Sequence, residues 1–265
     1  MQIQKTALRE IQVLKLLQPH EHIVNLIEVF RHDSRVYIVF EQLQRTLLEE
    51  IQGSRGLKEL DAKKIIYQMM KACQHMHTKG VMHRDIKPEN MLMSRNGVLK
   101  VCDMGFARYL SNTQPLSEYV STRWYRAPEV LVSHAYDAGI DIWAVGCIFC
   151  ELLTGKPLFA GKNEIDMMGL ILEMFNGSEE LPEDLRNTFN QNNMFGSKQL
   201  PFPRAEEFDY DKTLQARLEK CQASNAAVSF ARECLRLDPK QRPSASELLK
   251  HDYFNNFREQ FDDEI

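Results

Sequence analysis

The spacing of apolar residues divides the chain into two unequal parts. Over residues 3 to 17, Ala7, Ile11, Leu14 and Leu17 recur at intervals of three and four, the period of one helix face. Two β-rich runs follow, "IVNLIEVF" and "RVYIVFEQ", split by the polar "RHDS", which predicts a hairpin. Asp61 reads as an N-cap and Gly80 as the stop of a helix over about 62–78. The runs "VMHRD", "NMLM" and "NGVLKVCD" then read as short strands separated by turns. A second strong helix is expected from about Asp137 to Leu153, closed by Gly155. Residues 176 to 225 are polar and poorly periodic, with "NQNNMFGS" and "FPR" reading as loop. The segment 226–258 is helical again, broken at "DPKQRPS". The pattern therefore predicts an α+β chain: a short β-containing start and a larger, mostly helical body.

Composition narrows the function classes. With 265 residues there is enough chain for one large domain or two lobes. Charged residues make up 26% and the net charge is −4, so no bulk attraction to nucleic acid or to an anionic membrane is expected. The longest apolar run, "IWAVGCIFC", is far too short to span a bilayer, and the polar opening "MQIQKTALRE" lacks the apolar core of a signal peptide. Six cysteines in a chain this long do not form a disulfide scaffold, so a reduced cytoplasmic or nuclear compartment is expected. Cys147 and Cys150 form a C-x-x-C, but no second cysteine or histidine pair stands at ligand spacing, which favours two small buried residues over a metal or redox site. His75 and His77 lie two apart on an expected helix and share no face, so with His83 they are also read as structural.

The chemistry concentrates in three short motifs: "HRDIKPEN" at 83–90, "DMG" at 103–105 and "APE" at 127–129. In this order and spacing they resemble the protein kinases, from about residue 3 to 258. The resemblance implies a two-lobe fold, with a partial small lobe over 1–42, a large lobe over 43–258 and an acidic tail over 259–265. It implies ATP and Mg²⁺ as cofactors, protein substrates, a monomer, and an upstream activating kinase. Phosphoryl transfer asks a protein mainly for positioning and for charge stabilisation. Asp85 would accept the proton of the substrate hydroxyl, and Lys87 would place a cation beside the moving phosphoryl group. Asn90 and Asp103 would offer hard oxygen ligands to Mg²⁺. Thr122 would assist near Asp85, and Gly105 would permit a sharp turn after Asp103. Met104 stands where most kinases have Phe and, being apolar and adaptable, should pack there.

Other positions follow from the same likeness. Phe40 would be the gatekeeper of the adenine pocket, Glu41 and Leu43 would offer backbone groups to adenine, and Leu92 would form the pocket floor. Core packing explains Phe40 and Leu92 equally well. Glu129 and Arg242 match a buried ion pair, and Asp141 matches an anchor of the catalytic-loop backbone. Ser117 and Tyr119 are spaced like a dual phosphorylation site. Arg9, Arg84 and Arg108 match a basic pocket, with Arg123 and Arg126 close behind the site; a phosphate could order the segment through such arginines, or they could pair with Asp and Glu instead. The stretches "WAVGCIFCELLTGKPLFAGKNEID" and "LDPKQRPSASELLKHDYF" look most like the cyclin-dependent kinase-like branch of the cyclin-dependent and mitogen-activated group. That implies serine or threonine as acceptor, and adds the cilium as a location. Cyclin dependence is not expected, since "QIQKTALRE" keeps only "RE" of the cyclin-binding helix.

The likeness breaks at the start. The first glycine is Gly53, so no G-x-G-x-x-G loop precedes the catalytic loop. Upstream of the hinge the lysines are Lys5 and Lys15, both in the first helix, whereas Glu10 matches the glutamate that pairs with a strand lysine. The chain reads as beginning inside that helix, with roughly fifty residues of a usual small lobe absent. Losing one preorganised charge contact commonly costs on the order of 10²–10³ in rate. Two classes of function therefore stand: a Ser/Thr kinase, or a kinase-like binding module that docks partners without catalysis.

Overall fold

The computed structural model describes residues 2–33, 35–110, 122–132, 135–175, 181–192, 213–255 and 257. Helix α1 (Gln2–Leu17) buries Ile11, Leu14 and Leu17 of the expected apolar face, with Ala7 half-buried, and buries Val13 as well. Strands β1 (Leu26–His32) and β2 (Arg35–Phe40) form the expected hairpin, with Phe30 opposite Tyr37 and their rings stacked at 5.1 Å. This sheet is two-stranded, and Ile27, Phe30, Val36 and Tyr37 on it are exposed.

Beyond the hairpin the chain is mostly helical. Strand β3 (Arg45–Thr46) leads into α2 (Leu47–Ile51), and α3 (Glu59–Thr78) is the long buried helix of the body. Strand β4 (Val81–Met82) precedes the loop that carries residues 83–90, and β5 (Met91–Met93) pairs with β3 on one side and β6 (Leu99–Val101) on the other. Strand β7 (Arg108–Tyr109) returns to pair with β4. Then come α4 (Pro128–Leu131), α5 (Gly139–Thr154), α6 (Glu164–Phe175), α7 (Glu183–Gln191), α8 (Leu214–Lys220), α9 (Asn225–Cys234) and α10 (Ala245–Leu248).

Helix α5 is buried on nearly every side, which its mostly apolar sequence requires. It packs on α3, α8 and α9 and forms the axis of the body. Gly155, at φ 70°, ends it in the left-handed conformation expected of a helix stop. Among the described residues no helix is long and apolar enough to cross a membrane.

Two expectations need correction. Helix α3 starts at Glu59, so Asp61 is a first-turn acid that complements the helix dipole rather than an N-cap. Glu59 instead accepts the N–H and the hydroxyl of Ser224 at 2.8 Å each, tying the start of α3 to that of α9. Within the polar stretch 176–225, α7 and α8 are helical. Each offers the core only a narrow i, i+4 apolar pair, Leu185 with Phe189 and Leu214 with Leu218, too little to show as periodicity.

Candidate active site

The loop between β4 and β5 is held from behind by one carboxylate. Asp141, near the start of α5, is 1% exposed. Its Oδ2 accepts the N–H of His83 at 2.8 Å and lies 2.9 Å from His77 Nε2, while its Oδ1 accepts the N–H of Arg84 at 2.9 Å. Burial alone would raise this carboxyl; the bond from His77, the nearby imidazoles and the Arg84 amide more than offset that and hold it below the usual carboxylate range. Arg84 sits at φ 73°, a conformation that costs a side-chain-bearing residue about 1–2 kcal/mol. His83 is fully buried: its Nδ1 accepts the N–H of Asp85, so its Nε2 carries the proton and donates to the Cys102 carbonyl at 2.9 Å.

Two predicted groups then meet on the carboxylate of a third. Lys87 Nζ stands 2.9 Å from Asp85 Oδ2, and Asn90 Nδ2 donates to the same oxygen at 2.9 Å and to the Asp85 carbonyl at 2.8 Å. Pro88–Asn90 form a single 3₁₀ turn that brings the amide back over Asp85. With its nitrogen so engaged, Asn90 has Oδ1 as the atom to offer a cation. The Asn90 carbonyl accepts the N–H of Cys102 at 3.0 Å, which ties the loop to the residue before Asp103.

Asp103 is at φ 60° and its Oδ1 accepts the N–H of Gly105 at 3.2 Å. The sharp turn is thus made by Asp103 itself. Gly105 is needed for space: a Cβ there would lie 3.1 Å from both Asp103 Oδ1 and Thr6 Cγ2 on α1. Met104 is fully buried, as expected of an apolar substitute. Glu10 on α1 faces this turn; burial and the neighbouring Asp103 raise its carboxyl above the usual range, partly opposed by a hydrogen bond from the Met104 amide. Arg9 reaches the Gly105 carbonyl at 3.5 Å. The Cys102 thiol is pushed up to about 12, first by burial and then by Asp103, Glu10 and Asp85, so these acids share one region.

Asp103 and Asn90 fit a Mg²⁺ ion that also binds phosphate and water, since such an ion needs only one or two protein oxygen donors. Among the described residues no group of three or more His, Cys, Asp or Glu is placed to hold a metal by itself.

At the expected adenine pocket, Phe40 ends β2, and Phe40, Leu43 and Leu92 are partly buried against the core. The Glu41 N–H donates to the Asn25 carbonyl at 3.0 Å, so only its own carbonyl is left to face a ligand. The Glu41 side chain does something the sequence did not reveal. Its Oε1 accepts the Asn25 N–H at 2.7 Å and pairs with Lys100 Nζ at 2.7 Å, joining the start of β1, the hinge and β6.

The arginines separate into two groups. Arg9, Arg84 and Arg108 lie together: burial first, then the charges of Arg84 and Arg9, lower the Arg108 guanidinium. Arg84 also stands 5.8 Å from the Tyr136 ring and bonds its hydroxyl; burial raises that phenol and Arg84 opposes the rise. Arg123 bonds Glu164 on α6 and Arg126 lies 3.9 Å from it, so this pair faces an acid and stays outside the basic pocket. Thr122 is exposed, and no described hydrogen bond ties it to Asp85. Ser117 and Tyr119 lie outside the described residues.

Three further expectations concern structural contacts. Arg242 donates to both oxygens of Glu129, at 2.6 and 3.2 Å, and both side chains are fully buried. His75 bonds the Leu17 carbonyl at 2.8 Å, and Cys147 and Cys150 are buried in α5 with burial pushing both thiols up.

The sequence matches the protein kinase domain over residues 1–254. It is 39% identical over 259 residues to cyclin-dependent kinase-like 4 of Mus musculus, covering 97% of this chain and 72% of that protein. Cyclin-dependent kinase-like 2 of Oryctolagus cuniculus is 39% identical over 268 residues, covering 99% of this chain and 45% of that protein. Cyclin-dependent kinase-like 1 of Caenorhabditis elegans is 40% identical over 257 residues, covering 96% and 70%. The chain therefore spans from about half to three-quarters of the length of these relatives.

Proposed function

The chain belongs to the protein kinase family, and on that premise we propose that it transfers the γ-phosphoryl group of ATP to serine or threonine hydroxyls of proteins. The observation that carries this reading is the convergence of Lys87 and Asn90 on Asp85, within a loop that Asp141 fixes from behind. Bound Mg·ATP supplies the phosphoryl group and neutralises its charge. The protein supplies position. Asp85 would orient the acceptor hydroxyl and take its proton as the new oxygen–phosphorus bond forms, while the bond from the γ-phosphorus to the β–γ bridging oxygen breaks and ADP leaves. Lys87 would place a positive charge beside the group in transit, and the oxygens of Asn90 and Asp103 would hold the metal. A phosphate on Ser117 or Tyr119, added by an upstream kinase, would find Arg9, Arg84 and Arg108 already grouped.

The test is transfer by the purified chain. With Mg·ATP and a generic basic protein, phosphoserine and phosphothreonine are the expected products, and Asp85→Asn abolishes them while the protein still binds nucleotide. Phosphotyrosine as the main product would remove the Ser/Thr assignment.

A second reading is a kinase-fold binding module. It is favoured by Glu10, whose described neighbours are the Met104 amide and the Asp103 carboxylate. Nucleotide binding without any turnover would select it.

A further inference from the structure

The Arg84 side chain is held from the same short segment that holds its backbone. Asp141 Oδ1 accepts the Arg84 N–H at 2.9 Å. Five residues before Asp141, Tyr136 sets its ring against the Arg84 guanidinium, 5.8 Å from the ring centre, and its hydroxyl bonds the same group. A guanidinium at that distance is drawn to the negative face of the ring. Tyr136 is half-buried and packs on the core, so the body of the protein supports it.

From this position Arg84 Nη1 reaches the Phe106 carbonyl at 3.5 Å, next to the Gly105 carbonyl that Arg9 Nη1 reaches at 3.5 Å. Both carbonyls belong to the turn that follows Asp103, and Arg84 directly precedes Asp85. The guanidinium therefore bridges the loop with the proposed base and the turn with the proposed metal ligand. Arg108 on β7 lies across from Met82, two residues before Arg84, and counts both Arg84 and Tyr136 as near neighbours. Like charges at this spacing repel, and the ring face offsets part of that repulsion on Arg84.

We infer that Tyr136 is a positioning residue for the reaction: by holding the Arg84 guanidinium on the Phe106 carbonyl, it keeps the Asp85 loop and the Asp103 turn in register before any anion reaches the three arginines. A phosphate at the arginines would hold Arg84 by charge instead. It therefore adds little while Tyr136 is in place and becomes necessary once Tyr136 is lost. The effect on rate rests on the proposed phosphoryl transfer; the effect on the turn does not.

The experiment compares Tyr136→Phe, which keeps the ring and drops the hydroxyl, with Tyr136→Leu, which drops both, in the full chain. It reads hydrogen exchange over residues 103–109, and turnover with Mg·ATP and a generic basic protein. Tyr136→Leu should speed exchange there about threefold to tenfold and lower kcat by a similar factor, with KM for ATP within about twofold. Tyr136→Phe, milder for folding, should fall between it and the wild type. Inorganic phosphate at constant ionic strength should slow the exchange and restore turnover in Tyr136→Leu, and change the wild type little. Unchanged exchange over 103–109 in a folded Tyr136→Leu protein would overturn the proposal. So would loosening that phosphate does not reverse, which marks a purely structural loss. Exchange that responds as expected in a chain without turnover would uphold the role of Tyr136 and remove the phosphoryl-transfer reading.

Discussion

Asp141 Oδ1 accepts the main-chain N–H of Arg84 at 2.9 Å, while Arg84 holds a φ of 73°. The two facts belong together: the buried acceptor offsets a backbone conformation that the loop needs and the residue resists. Asp141→Ala orphans the His83 and Arg84 amides and the His77 ring at once. It should cost about 2–5 kcal/mol in urea unfolding. Asp141→Asn, which keeps the shape and one acceptor, should cost less stability but still lower turnover more than it raises KM. Full turnover in a folded Asp141→Asn protein would show that the anchor is not needed for the loop geometry.

The Glu129–Arg242 pair calls for a different expectation. Arg242 also donates to the carbonyls of Gly139 and Arg236 at 2.9 Å each, so it fastens α4, the start of α5 and the turn before α10. Removing one partner leaves a buried charge unpaired, which typically costs about 3–5 kcal/mol. Glu129→Gln and Arg242→Met should each approach that figure, and the double variant should cost clearly less than their sum. Additive losses in a double-mutant cycle would mean that the two side chains act separately.

These cases also show what could be read from the residues. The catalytic loop, the Asp103 turn and the Glu129–Arg242 pair were legible through the resemblance to the protein kinases, because these residues match that family's motifs. Asp141 was legible for the same reason. The Glu41–Lys100 bond was not: 59 residues separate the partners, and nothing local in either stretch marks them as neighbours. Tyr136 and Arg84, 52 residues apart, meet only in the folded chain. Arg123 and Arg126 were noted for following Ser117 and Tyr119, with pairing to an acid as the alternative; that acid, Glu164, lies 41 residues beyond Arg123, and its identity was not readable locally. Helices α7 and α8 hide in polar sequence because each shows the core so narrow a face.

The Glu41–Lys100 bond makes its own prediction. Lys100 and Glu41 are largely enclosed, with side chains 13% and 26% exposed, and Glu41 carries the carbonyl expected to meet adenine. Lys100→Met leaves the carboxylate tied to Asn25 alone and lets the hinge shift relative to β6. Nucleotide affinity should fall about threefold to tenfold, in line with roughly 1 kcal/mol for a partly enclosed pair. The turnover number at saturating nucleotide should stay within about twofold. A fall in turnover at unchanged affinity would assign Lys100 to the chemistry instead of the hinge.

The stability of the folded chain should depend on pH through the histidines behind α1. Burial, then the nearby His75, His22 and Lys71, lowers the His20 imidazole to about 4, against about 6.5 in an unfolded chain. His22 is lowered too, again mainly by burial. Between those two values the unfolded chain binds a proton that the folded ring refuses, so stability rises with pH there and falls on acidification. The contribution is complete above about 6.5, is lost as pH drops toward 4, and changes little below that. With His20 only partly enclosed, about 1–2 kcal/mol is a reasonable share. The Asp141 carboxyl acts in a separate window: its ordinary value is near 4 and its folded value is lower, so its contribution is lost only below that range. Urea unfolding midpoints should therefore decline from about pH 7 to 5, and His20→Asn should flatten the decline. An unchanged slope in a well-folded His20→Asn protein would move the dependence to His22 or to His251, whose imidazole burial also lowers.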